Sequence, residues 1–145
     1  HFGDQKNLAI SKTNSLFSFV IDADERLSLA LKKDLKDILC ENADKDMIIL
    51  NRYNYVDSKP EELAQEYQYR LFKSFVRYCG VVHEEATGWN RDLSITLPEK
   101  YHIIHDKSFN KFSNNQSLYT YLGQTQPHKC MGTSRKFTKE LLKHE

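Results

Sequence analysis

Long apolar runs are missing from this chain of 145 residues. Nothing approaches the roughly 20 residues that a helix needs to cross a bilayer, and no segment reads as a signal peptide. Charge of one sign is missing too. Twenty-one Lys and Arg stand against 20 Asp and Glu, a net charge of +1. Bulk attraction to nucleic acid is thereby excluded, and an anionic ligand has to be held by local groups. Cysteine is scarce: Cys40, Cys79 and Cys130 are odd in number and too widely spaced for a zinc pattern or a disulfide framework. That usage suits a reducing, cytosolic compartment. With only five glycines, there is no Gly-rich loop of the kind that cradles phosphate. Repeats and low-complexity tracts are absent as well. What is present, 39% apolar and 28% charged residues, suits one domain with a modest core rather than a disordered chain. The chain opens at His1 without a Met and a motif-like segment begins almost at once, so it reads as a piece of a longer protein.

Along the chain, Asp4–Lys12 is expected to be helical. Leu16–Ile21 is short, apolar and β-prone, as in a strand covered on both faces of an α/β sheet. Leu27, Leu31, Leu35, Ile38 and Leu39 then recur at helical spacing, opposite Lys32, Lys33, Lys36 and Asp37, with Ser28 as N-cap. Met47–Val56 (MIILNRYNYV) reads as a strand. Pro60 is placed to open a short helix, PEELAQE. Tyr67–Phe75 and Tyr78–His83 read as two strands of a sheet, and Ser94–Leu97 and Tyr101–His105 as shorter ones. The tail from Lys107 is polar. It is expected to be helical around Ser117–Leu122 and Ser134–His144, with a mobile loop at Gly123–Gly132.

The stretch VIDADERLS ends an apolar run in three acids, Asp22, Asp24 and Glu25. Ligands of open α/β sheets bind beyond the carboxyl ends of strands, and this turn is at such an end. Residues two apart on an extended chain share a side, so Asp22 and Asp24 are expected to aim at one point. Two hard oxygen ligands suit Mg²⁺ or Mn²⁺, which takes the rest of its shell from water and substrate phosphates. The plainer alternative is a helix cap or dipole partner. Asp44-Lys45-Asp46 repeats the spacing but precedes its strand, and reads as a solvated turn. An EF-hand does not fit, because Leu27 and Lys33 occupy its glycine and final glutamate positions.

VIDADERLS with the amphipathic helix after it resembles family-2 glycosyltransferases of the GT-A fold. The likeness is to the bacterial branch that adds sugars to lipopolysaccharide cores, capsules and related glycans. QKNLAI (Gln5–Ile10) resembles that branch's "RN-x-A" helix, with Lys6 in place of arginine. YQYRLFKS (Tyr67–Ser74) resembles its "Q-x-RLFR" strand, and VVHE (Val81–Glu84) its "vHE" motif. His105 in YHIIH matches a downstream histidine. The resemblance covers about residues 2–106 and implies the C-terminal part of a catalytic domain, with 107–145 as an extension. The expected fold is a partial GT-A fold, a mixed sheet flanked by helices that lacks the N-terminal nucleotide-binding strands. The implied activity is inverting, metal-dependent transfer of a sugar from a nucleotide-diphosphate donor to a glycan or lipid-linked acceptor. In this reading Asp22, Asp24 and His105 hold Mg²⁺ or Mn²⁺, and Glu84 is the catalytic base. Glu25, Arg70, His83 and Trp89 serve donor or acceptor binding. Glu25 is expected to orient Arg26 or Asp24, and Arg52 is a weaker candidate of the same sort as Arg70. The implied location is cytoplasmic, at the inner face of the membrane, with peripheral membrane association of the parent protein. An uncovered sheet edge could also pair two copies. Two other functions stay open: an inactive acceptor-binding or interaction module, and a metal-dependent phosphotransferase or phosphohydrolase.

Overall fold

The structure, a computed structural model, describes residues 2–80 and 84–107, with the backbone alone for 61–65. It is a mixed α/β arrangement of two helices and a curled sheet. In chain order the elements are helix α1 (Phe2–Ser11), strands β1 (Phe17–Phe19) and β2 (Glu25–Leu27), and helix α2 (Leu29–Glu41). Strands β3 (Met47–Val56), β4 (Lys59–Lys73), β5 (Arg77–Cys79) and β6 (Glu85–Thr87) follow, then β7 (Ser94–Thr96) and β8 (His102–Lys107). The expected tail helices and the Gly123–Gly132 loop lie outside the described residues.

Helix α2 starts where its sequence says it should. The Ser28 hydroxyl accepts from the Leu31 N–H at 3.2 Å and donates to the Lys100 carbonyl at 3.0 Å. The cap therefore also ties the helix to the approach of β8. Leu31 and Ile38 are buried under the sheet. Leu27, expected on the helix face, instead ends β2, which pairs antiparallel with β8.

The main sheet runs β1-β4-β3-β8-β2, with β7 alongside the start of β3. β3 is antiparallel to β4 and parallel to both β7 and β8. Strand β1 is the end strand of this order among the described residues; Phe17 and Phe19 pack on one apolar cluster and Val20 on the other, whereas Leu16 and Ile21 at the ends of the apolar run are exposed. The short helix expected at Pro60 is corrected: Pro60 lies in β4, paired with Tyr55. Asp57 and Ser58 adopt φ of 48° and 62°, the positive values of a tight hairpin turn that matches strand twist. β3 then supplies backbone partners just across the turn, and hairpin pairing outweighs local helix preference. β5 pairs with β6 in a separate two-stranded sheet rather than with β4.

Two apolar clusters hold the layers. One joins Leu31 and Ile38 of α2 to Ile48, Leu50, Leu71 and Ile103. The other joins Ile10 of α1 to Met47, Phe72, Val76 and Tyr78. Cys40 is an exposed free thiol, whereas Cys79 is disulfide-bonded, contrary to the expectation of unpaired cysteines. Among the described residues no helix is long and apolar enough to cross a membrane.

Candidate functional site

The acidic stretch is a closed turn, not an extended chain. The Glu25 N–H donates to the Asp22 carbonyl at 3.0 Å, and the Asp22 N–H donates to Glu25 Oε2 at 3.0 Å. This closure sends the two aspartates to different partners. Asp22 Oδ2 accepts from Arg70 Nη1 at 2.8 Å, and its Oδ1 lies 4.0 Å from Lys6 Nζ. Asp24 Oδ1 lies 3.5 Å from His105 Nε2. Among the described residues no three His, Cys, Asp or Glu side chains gather closely enough to hold a metal by themselves.

Glu25 is the keystone of the turn. Its side chain is 0% exposed, with Oε1 3.0 Å from Arg52 Nη1 and Oε2 3.0 Å from Arg70 Nη1. Arg26, its expected partner, turns instead toward Asp106 at 3.9 Å. Arg70 thus bridges two carboxylates, and its Nε donates to Gln68 at 3.1 Å. Burial works against the Arg70 charge, but Glu25 and Asp22 outweigh it and hold the guanidinium protonated above its ordinary range. Burial likewise pushes the Asp22 carboxyl up, but the hydrogen bond and charge of Arg70, with Lys6 and Arg52, bring it below the ordinary 3.8.

His105 is buried, and its Nδ1 lies 3.0 Å from Asn54 Oδ1. Burial, then the charges of Arg52 and Lys107, keep it below the ordinary histidine range. On its other side the ring turns Nε2 toward the Asp24 carboxylate, 3.5 Å from Oδ1. A carboxylate and an imidazole fit a divalent cation that completes its shell with water and phosphate.

Helix α1 brings a second charged group to the turn. Lys6 Nζ lies 3.4 Å from Glu84 Oε2 and 5.1 Å from the centre of the Tyr78 ring. Asn7 clamps β5 at both polar groups of one residue. Its amide donates to the Tyr78 carbonyl at 2.8 Å, and its oxygen accepts from the Tyr78 N–H at 2.7 Å. Gly3 permits this approach, since a Cβ there would stand 3.3 Å from the Gly80 oxygen and 3.4 Å from Glu84 Cγ. Glu84 Oε1, Tyr78 OH and Arg52 Nε are buried without a hydrogen-bond partner among the described residues. Burial pushes the Tyr78 phenol well above its usual range.

The fold therefore joins Lys6, Asp22, Glu25, Arg70 and Glu84 in one charged cluster, with Asp24 and His105 as a pair beside it. Trp89 belongs to the second apolar cluster and stacks against Tyr69. His83 lies outside the described residues. Sequence reasoning passed over Asn54 and Tyr78 and ranked Arg52 low. The signal for Arg52 and Asn54 was there: two polar residues, two apart, interrupt the strand face that Ile48 and Leu50 begin as apolar. No protein-family model matches the chain, and no curated protein matches it.

Proposed function

We propose that the chain is the acceptor-side part of a GT-A-type glycosyltransferase domain that transfers a sugar from a nucleotide-diphosphate donor with inversion. One observation carries this reading. Elements singled out by resemblance, far apart in sequence, meet at one place: Lys6 from QKNLAI, Asp22 from VIDADE, Arg70 from YQYRLF and Glu84 from VVHE. Salt bridges alone are common, but these four residues come from four separate segments that the resemblance had already marked.

In the proposed reaction the acceptor hydroxyl attacks the anomeric carbon while the bond from that carbon to the diphosphate oxygen breaks. Lys6 engages Glu84 Oε2, and Oε1, buried without a hydrogen-bond partner among the described residues, would take the hydroxyl proton once the acceptor is seated against it. Arg70 and Glu25 fix the turn that carries both aspartates. Asp24 and His105 would hold Mg²⁺ or Mn²⁺, which offsets the negative charge of the diphosphate. The acceptor is a glycan or lipid-linked glycan.

The test is calorimetry with Mn²⁺ and a panel of nucleotide-diphosphate sugars, on this chain and on the parent protein, together with transfer assays on the parent. Asp24→Ala should lose metal-dependent donor binding. Glu84→Gln should bind donor and lose about 10²–10⁴ in kcat. Unchanged metal and donor binding in Asp24→Ala rejects the cation role, and unchanged transfer in Glu84→Gln rejects the base.

A further inference from the structure

Tyr67 is 60% exposed and Tyr69 43% exposed, two large rings left in water on a central strand. They are not scattered. With Trp89, Arg91 and Thr96, over Ile49, they line an open cleft of ≈ 420 Å³. Tyr67 pairs with Asn51, and Arg52 with Glu66. Since alternate strand residues face opposite ways, the tyrosine lies on the reverse of the face where Arg52 meets Glu25.

The cleft is rigid. The Trp89 Nε1–H donates to the Ala86 carbonyl at 3.0 Å, and its ring sits 5.9 Å from that of Tyr69 at 32°. The following loop is tied at both ends: the Asn90 N–H donates to Asp46 Oδ2 at 3.0 Å, and the Asp46 N–H donates to the Leu93 carbonyl at 2.7 Å. Arg91 is exposed, and among the described residues no carboxylate lies within ion-pairing distance of it. Fixed aromatic faces beside a few hydrogen-bonding groups suit a ligand with flat apolar faces and a polar rim. Pyranose rings have that form. Stacked nucleobases also do, but a nucleic acid needs several cations along its phosphates, and this cleft has one.

We infer that the cleft seats sugars of an oligosaccharide acceptor beyond the one that reacts, with Arg91 reading a carboxylate or phosphate on them. The ligand class rests on the transfer reading above. Glu84 immediately precedes β6 and Trp89 follows it, so the proposed base and one wall of the cleft are carried by the same short segment.

Trp89 is the sole tryptophan, so its fluorescence reads this site directly. The probes are a neutral maltohexaose and an acidic hexagalacturonate, titrated into the full chain. Both should give a saturable change in emission, with the acidic probe binding more tightly. Tyr69→Ala should weaken both about tenfold. Arg91→Ala should reduce the acidic probe to the affinity of the neutral one. Tyr67→Ala, at the more exposed ring, repeats the aromatic test with the fold least disturbed. No emission change with either probe at millimolar concentration overturns the inference, as does unaltered affinity in both tyrosine variants. Donor binding is measured on the parent protein. A silent cleft with intact donor binding by the parent overturns this inference alone. A responding cleft with a parent protein that binds no donor overturns the transfer reading alone.

Discussion

Arg70 Nη1 lies 3.0 Å from Glu25 Oε2, against a carboxylate whose side chain is 0% exposed. An unpaired carboxylate in such a place is strongly disfavoured, so Glu25 is there because two arginines meet it. The same Nη1 reaches Asp22 at 2.8 Å. One guanidinium thus couples a buried structural acid to a half-exposed one at the site.

Removing Glu25 leaves Arg52 and Arg70 desolvated without their shared counter-charge. Glu25→Ala should cost about 3–5 kcal/mol, read as a shift of the urea unfolding midpoint with unchanged slope. A loss below about 1 kcal/mol would mean that the arginines find other partners.

Asp22 gives an acid limb to stability. Its folded-state pKa is below the unfolded value near 3.8, so between the two the unfolded chain binds more protons. The contribution is present above the unfolded value and disappears as pH falls through the folded one. Asp22→Asn should flatten the fall of Tm in that acid window while leaving its neutral-pH slope alone. An unchanged acid limb would show that Arg70 does not hold this carboxylate in solution.

Asn7 makes two hydrogen bonds to the backbone of Tyr78. Asn7→Ala removes both and should cost about 2 kcal/mol. Hydrogen exchange should report the loss locally, with the Tyr78 amide deprotected more than amides in β3. Equal deprotection of both would mean that the clamp acts only through global stability.

Ser28→Ala removes the cap of α2 together with its bond to Lys100. The expected cost is about 1–2 kcal/mol. Ser28→Asp can still cap the helix but cannot donate to the Lys100 carbonyl, so it should recover only part of the loss. Full recovery would show that the tie to Lys100 contributes nothing.

Much of the fold was legible because it is local. Ser28 and the apolar spacing of Leu31, Leu35 and Ile38 predict α2, and Met47–Val56 has the strand bounds observed. Asp4–Lys12 anticipates α1 to within two residues. The misreadings have two causes. PEELAQE carries helix-forming residues, and the hairpin turn before it lacks the Asn-Gly or Asp-Gly that would have announced its pairing with β3. β2 exists only because β8, far along the chain, pairs with Glu25–Leu27. The site divides in the same way. The acids, Arg70 and Glu84 are visible as motifs, whereas no spacing rule places Lys6 against Glu84 or Asn54 against His105.

The sequence by itself determined the N-cap of α2, the long strand β3 and the types of group available for chemistry, because periodicity and capping act within a few residues. Tertiary structure alone decided which charge meets which. It turned Asp22 toward Arg70 and Asp24 toward His105, buried Glu25 between two arginines, and left Tyr67 and Tyr69 open on the opposite face. Strand pairing and desolvation act between segments that are remote along the chain, and their outcome depends on which surfaces the fold removes from water.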